Sequence, residues 1–451
     1  MKKIFFIILS CFIMLNFASC AGIFDTPASL MSTPKGSGDL VEIEEILESS
    51  HSGFEFSYPT GGEYRNAVMI KDFDSDGNRE AIAFYQTTEN TSITIHFCVL
   101  DKKNDEWKIK FDSALSGIGI DRVETADICA DKSNEILVGC KLNNTTEQEL
   151  NIYKMDKKGV QLLTQERYTD FCVCDLGASD KEQIAIFKLG SQSAVASQET
   201  DNSAIKNTAS AKLISFSYQN DSIPFALGSA NFDTNVISFS KIAVAPISNN
   251  QNGIFVDANI GEDSMITEVF YYDQTIKALF YDKRNNSTKL TERYSLIESR
   301  DINSDGKIEI PKTYLCNGYN EEMEYSDRVY FTEWYSLENK KLQKRVASGF
   351  LNGNDNYFIS TPDSWLGNVT AKKNSDSRER IICEWDFTNQ TFGDEIFRIK
   401  VFYKSDYPSE NDDFIKIASD EEDVYTVKIN KKYQGKYKVK VDDIKKQFVL
   451  I

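Results

Sequence analysis

An acidic loop that recurs along the chain, runs of apolar–polar alternation between its copies, and the absence of that loop after about residue 355 together predict a mainly β protein. The expected architecture is an N-terminal β-propeller of five or more four-stranded blades, followed by a small α+β domain. The clearest copy of the loop lies in "KDFDSDGNREAIAFY", which begins at Lys71, and a near copy, "RDINSDGKIEI", begins at Arg300. A third copy, "ADICADKSNEILVG", sets Asp127 on Asp72, Asp131 on Asp76 and Glu135 on Glu80. The stretch "DFCVCDLGASDKEQIAIFKL" repeats the order of strand, acidic loop at Asp175, Glu182 and strand, and "KIAVAPISNNQNGIFVDANI" is a weaker copy. Successive copies lie about 50 to 70 residues apart, a blade-like period. The longest gap holds a Ser/Ala/Asn-rich insert, 190–211.

Between the loops, "SITIHFCVLDKKNDEWKIKF", "ELNIYKMDKKGVQLL" and "MITEVFYYDQTIKALFYD" alternate at period two. They read as half-buried antiparallel strands joined by Lys/Asn/Asp/Gly hairpins, about four per repeat. The propeller is expected over 39–350. It includes a short helix at "GDLVEIEEILESS", where Leu40, Val41, Ile43, Ile46 and Leu47 share one face. After 355 the acidic loop is absent, four strand-like runs follow, and "VDDIKKQFVLI" contains helical spacing, so 355–451 reads as a separate α+β domain.

The N-terminus sets the location. Lys2 and Lys3 precede an apolar run from Ile4 to Phe17 that is shorter than a bilayer span, and small residues follow. This is an export signal, 1–19. Phe17-Ala18-Ser19 before Cys20 resembles a bacterial lipobox, which implies diacylation of Cys20. Two acyl chains anchor a protein stably where one does not. Residues 20–38 then form a flexible tether, and the rest is expected to be extracytoplasmic and held at the cell surface.

Composition excludes several functions. A formal charge of -18 repels phosphate backbones, so no nucleic-acid partner is expected. Of nine cysteines, Cys11 falls in the signal and Cys20 is the lipid site; the remaining odd, irregular set is no disulfide framework and reads as buried thiols. One bridge between neighbouring strands stays open. His51 and His96 are the only histidines, too few for a histidine-rich zinc site and a poor start for a hydrolase triad. No catalytic residues are assigned. Glu384 and Asp386, flanking Trp385, are a conceivable carboxylate pair, though strand residues facing solvent are commoner.

The loops carry the chemistry. Asp72, Asp74 and Asp76 stand at alternate positions, Gly77 permits a sharp turn, Asn78 offers a carbonyl and Glu80 closes the set. Oxygens so spaced converge on a hard cation. Position twelve is Ala83 in this loop and Lys312 in the other, which excludes an EF-hand. The second set is Asp301, Asn303, Asp305, the Lys307 carbonyl and Glu309, with one charge fewer and weaker binding expected. The copy at Asp127 has Cys129 and Lys132 at key positions and is expected to have lost its ion. "DFDSDGNRE" and "DINSDGKIE" resemble the acidic loops of FG-GAP and VCBS propeller repeats. With its N-terminus, the chain is similar to lipoproteins of gut Firmicutes that carry such repeats. That resemblance implies a propeller at the cell surface and no particular activity.

The expected function is a non-catalytic binding protein for a protein or polysaccharide partner, with one or two structural calcium ions. An envelope-assembly lipoprotein and a carboxylate-dependent glycan enzyme are the alternatives. The anchoring residue has a direct test. Cys20→Ser is expected to move the protein from the detergent-extracted membrane fraction to the soluble fraction, read by immunoblot of fractionated cells.

Overall fold

A computed structural model describes residues 38–451, apart from 90, 144, 157–158, 179–180, 191–208, 217–222, 375–377 and 409–412. The signal segment, Cys20, the tether up to residue 37 and most of the 190–211 insert lie outside the described residues. Among the described residues, no helix is long and apolar enough to cross a membrane. The chain is mainly β, and among the described residues its strands form six antiparallel-dominated sheets. The described residues divide into two compact units, one of 38–57, 67–71 and 79–114, the other of 58–66, 72–78 and those from 115 onward.

The first unit holds helix α1, Gly38–Ser50, and the first sheet. Ile43 and Leu47, one turn apart, are fully buried against Ala83, Tyr85, Leu100 and Trp107. Leu40 and Val41, expected on the same face, are instead exposed. Asp39 in the first turn suits the positive end of the helix; it also accepts hydrogen bonds from Lys102 and Trp107 Nε1. The sheet is a meander of Val68–Lys71, Glu80–Glu89, Ser92–Lys103 and Glu106–Leu115, with Phe54–Phe56 beside the second strand. Glu80 to Tyr85 are buried without alternation, because a central strand is covered on both faces.

The second unit repeats the same meander. Gly119–Ala126, Glu135–Lys141, Gln148–Asp156 and Gly159–Tyr168 form the second sheet, with Gly61–Gly62 added in parallel. Asp170–Cys174, Gln183–Lys188, Ser210–Phe216 and Pro224–Asn231 form the third. Ser238–Ser248, Gln251–Asn259, Met265–Asp273 and Thr275–Ala278 form the fourth. Apolar clusters join neighbours: Leu150, Ile152 and Tyr168 meet Phe171, Ile186 and Phe216, and Phe187 and Leu213 meet Ile254, Val256 and Phe270. All seven cysteines after Cys20 are free thiols, and all but Cys172 are buried.

The fifth sheet departs from four strands. Its order is Ile310–Leu315, Tyr330–Glu338, Lys341–Asn352, Tyr357–Ser360 and, from the chain's end, Phe448–Leu450. The turn at 353–356, where sequence placed the start of a separate domain, thus joins two paired strands of one sheet. The sixth sheet runs Val369–Asn374, Glu379–Asp386, Thr391–Tyr403, Asp423–Ile429, Ile415–Ser419. It shares a core with the fifth through Phe350, Tyr357, Phe397, Tyr425 and Ile444, the last on helix α2, Val441–Gln447.

Between the fourth and fifth sheets, the irregular stretch 287–300 is held by a fully buried ion pair. Arg293 donates to Asp257 at 2.9 Å, both side chains 1% exposed. It also reaches the Ile297 and Thr291 carbonyls, while Ser299 donates to the other Asp257 oxygen at 2.7 Å. Removing one partner strands a buried charge, which costs about 3–5 kcal/mol. Arg293→Met is therefore expected to lower unfolding stability by that much in urea at unchanged m, and the double change with Asp257→Leu to recover part of it.

Candidate metal loops

The first three acidic loops each join the first two strands of their meander. Residues 72–79 lie between Val68–Lys71 and Glu80–Glu89, and 127–134 lie between Gly119–Ala126 and Glu135–Lys141. The loop at Asp175 leads into Gln183–Lys188. In the fourth meander the equivalent connection is the short turn Asn249-Asn250, with no acid in it. The loop at Asp301 leads into Ile310–Leu315 and is closed by an isolated bridge between Arg300 and Glu309.

Three loops share one hydrogen-bond scheme. Asp72 accepts from the Asp76 N–H at 3.2 Å and the Gly77 N–H at 3.1 Å, one through each oxygen. Asp127 accepts from Asp131 and Lys132 at 3.0 Å each. Asp301 accepts from Asp305 at 3.0 Å and Gly306 at 2.8 Å. The third acid then turns back to the next amide: Asp76 to Asn78 at 2.8 Å and Asp305 to Lys307 at 2.9 Å. Asn78 and Lys307, expected to offer carbonyls, thus also help fold the loop through their N–H groups. Gly77 and Gly306 take φ of +92° and +81°, where a side chain is disfavoured; Lys132 adopts +73° in the copy that lacks glycine.

These bonds make the aspartates turn-formers, but a bare turn needs neither a gathering of acids nor a buried one. In the first loop, oxygens of Asp72, Asp74 and Glu80 all lie within 4.8 Å of one another, and Glu80 is buried. Asp74 also accepts from the Asp76 amide at 3.2 Å, while Asp76 itself is exposed and outside the cluster. In the fifth-sheet loop, Asn303 accepts from Asp305 N–H at 3.1 Å. Glu309 is fully buried; one oxygen takes the Ile302 N–H at 3.1 Å, and Oε1 has no hydrogen-bond partner among the described residues. Burial, with Asp305 and Asp301 nearby, pushes its carboxyl up to about 7. Oxygen donors in a tight loop with one buried, half-satisfied carboxylate fit a hard cation of the calcium type.

One assignment changes. The residue closing the third loop is Gln183, eight places after Asp175 as Glu80 is after Asp72, and not Glu182. Gln183 is fully buried and accepts the Leu176 N–H at 2.9 Å, whereas Glu182 is exposed. The constant spacing was visible in the sequence; matching acids alone missed it.

Sequence reasoning also missed where the two histidines go. His51, just after α1, and His96 converge on Asp112, at 3.1 and 3.0 Å. The Tyr85 hydroxyl donates to the same carboxylate and lies 2.9 Å from His51 Nε2, and Thr87 Oγ1 lies 3.2 Å from His96 Nε2. Burial and the Asp112 charge push the Tyr85 hydroxyl up, so it stays a donor. The network pins the end of α1 to three strands of its sheet. The Glu384 and Asp386 pair is committed elsewhere: Glu384 accepts from the Tyr433 hydroxyl, and Asp386 caps the turn at Thr388 and Asn389.

No family model matches the chain, and no curated protein matches it. Among solved structures, a Bacillus licheniformis rhamnogalacturonan lyase aligns at 10% identity, covering 74% of each chain with a TM-score of 0.31. Sqt1 from Chaetomium thermophilum aligns at 8% identity over 79% of this chain and 80% of its own, TM-score 0.32. The Nup133 β-propeller domain of Vanderwaltozyma polyspora aligns at 10% over 70% and 97%, TM-score 0.21. Likeness at these scores is too slight to carry a function.

The raised carboxyl of Glu309 has a pH consequence. Its folded value of about 7 lies above the ordinary 4.5, so the folded state holds the proton more tightly. Without a cation the resulting penalty is absent below about 4.5, grows as pH rises, and is complete above about 7. Glu135 and Glu268, also pushed to about 7 by burial, act in the same direction. Urea unfolding in chelator between about pH 5 and 8 is expected to show stability falling, and Glu309→Gln to remove up to about 1.4 kcal/mol per pH unit of that slope.

Proposed function

We propose that the chain is a lipid-anchored, extracytoplasmic binding protein built as a β-propeller, in which the loops at 72–80 and 301–309 are structural calcium clamps and no reaction is catalysed. One observation carries this reading: the first three meanders place an acidic loop at the same connection, and at the first of them Asp72, Asp74 and Glu80 converge. Calcium would supply there the positive charge that lets a buried carboxylate stay ionised at the head of a strand. Asp72, Asp74 and Glu80 would hold it in the first loop; Asp301, Asn303 and Glu309 would do so in the second.

Neighbouring loops also support one another, which suits a rigid rim for recognition. The Ser75 hydroxyl donates to the Lys132 carbonyl at 3.0 Å, the Ser133 hydroxyl lies 3.3 Å from the Asp74 carbonyl, and Asn252 reaches the Asp175 carbonyl at 3.1 Å. Connecting loops on a stiff scaffold are where binding residues concentrate. The partner is a protein or a polysaccharide. Engagement of Glu384 and Asp386 in structural bonds favours binding over glycan cleavage by that pair.

Thermal unfolding of the full chain in excess calcium against chelator tests the clamps. At 100 times its dissociation constant, an ion adds about 2.7 kcal/mol per site. A rise in midpoint that magnesium does not reproduce is expected, halved in Asp72→Asn and abolished when Asp301→Asn is added. Equal midpoints in both buffers would reduce the loops to polar turns.

A further inference from the structure

The chain carries a formal charge of -18, yet its last residues do not share that sign. From Lys428 to Lys446 stand eight lysines against two acids, Asp442 and Asp443. They run from the end of the strand Asp423–Ile429 through a loop into α2. The loop is fixed from inside. Tyr433 and Tyr437 are buried; the Tyr433 hydroxyl donates to Glu384 and accepts the Tyr437 N–H at 3.2 Å, and Tyr437 meets Trp365 edge-on. With Tyr437 buried and Val439 half-buried, Lys436, Lys438 and Lys440 are left exposed, as are Lys431, Lys432, Lys445 and Lys446. Among the described residues, the segment's one ion pair joins Lys428 to Asp413 at 2.7 Å. Acids outnumber lysines and arginines 69 to 51 in the chain, so a cluster of unpaired ammonium groups does not reflect a shortage of acids.

The basic surface continues onto the sixth sheet. Lys428 lies 5.5 Å from the centre of the Phe414 ring, and Lys400 lies 5.7 Å from it and 4.7 Å from that of Phe402. Lys400 and Lys416 both pair across the ladders with Thr426, on the face opposite the one that buries Ile399 and Val427. A cluster of one sign concentrates and steers partners of the other.

We propose that the surface built by residues 428–446 and continued by Lys400 and Lys416 binds an acidic polysaccharide, whose carboxylates pair with the ammonium groups. This rests on the reading of the chain as a binding protein and names its partner; it does not rest on the calcium clamps. The segment's chemistry chooses the polymer. It has no arginine for bidentate contact with phosphate, and its two tyrosines are buried, so no ring is open to stack a nucleic-acid base. Its exposed side chains are all polar, so none is suited to enter a lipid interface. Carboxylates strung along a flexible chain need only ammonium groups spread over a surface, which the loop, α2 and the sheet present. Half-buried Phe402 and Phe414 add apolar surface for the C–H faces of sugar rings.

The test is calorimetric binding of the full chain to hyaluronate, a carboxylate-bearing polysaccharide, with neutral dextran and phosphatidylglycerol vesicles in parallel. Hyaluronate is expected to bind, and to weaken at least about tenfold between about 50 and 300 mM salt. Lys431→Glu with Lys432→Glu and Lys438→Glu is expected to cost about tenfold or more at low salt. Lys103→Glu with Lys108→Glu and Lys283→Glu, exposed elsewhere, makes the same change in net charge and is expected to stay within about twofold of the parent. Should the first triple not fold, Lys445→Gln with Lys446→Gln is expected to weaken binding about threefold. No hyaluronate binding at low salt, or an equal loss in both triples, would overturn the proposal. So would binding to the vesicles alone, which would make the surface a membrane contact, or to dextran alone, which would keep the binding reading. Hyaluronate bound through these lysines and then cleaved would leave the surface standing and end the non-catalytic reading.

Discussion

A buried polar side chain at the head of the strand that follows it organises each loop. Glu80, Glu135, Gln183 and Glu309 are all essentially inaccessible to water, and a carboxylate there is costly unless bonded and neutralised. Part of the compensation is local. Backbone amides of Cys129, Leu176 and Ile302 point back at Glu135, Gln183 and Glu309, which curls each loop over the strand it precedes. The residue after each first aspartate, Phe73, Ile128, Leu176 or Ile302, is buried and holds the loop from its apolar side.

Buried charge is handled in the same way elsewhere. Asp257 accepts from Arg293, Thr267 and Ser299, and Asp233 accepts from Thr288 at 2.7 Å. Glu268 accepts from the Val269 and Phe280 amides and the Thr288 hydroxyl. These bonds fasten the irregular stretch 287–300, which carries no strand ladder of its own, to the fourth sheet. It delivers the chain to Arg300 and so to the loop at Asp301. At the other end, the strand Phe448–Leu450 returns to the fifth sheet while α2 buries Ile444, so residues near the C-terminus complete a sheet begun at Ile310.

Much of this was legible from local pattern. Period-two alternation marked strands, but the half-buried face it implies holds for outer ones such as Glu106–Leu115; Met265 to Phe270, read as alternating, lie in an inner strand and are buried throughout. Helix α1 was readable from Ile43 and Leu47 at helical spacing, though the same spacing overstated its buried face by including Leu40 and Val41. The acidic positions of the first loop were readable too, and Asp72, Asp74 and Glu80 do gather. Less legible was anything that depends on which strand lies beside which. Asp112 draws His51 and His96 together from three separate segments, and no spacing in the sequence brings those numbers into contact.

What the sequence determined by itself is therefore the local chemistry: strands, turns, the acidic loops and the fixed interval of eight residues from first aspartate to closing residue. Those follow from alternation and from side chains that bond to their own backbone, both short-range effects. The tertiary structure alone decided the register that puts Asp101 across from Glu80. It also decided the return of the last strand to the fifth sheet and the burial that lifts Glu309. Each of these depends on which distant residues share a face and exclude water, and those neighbours set the free energy of a charge inside a protein.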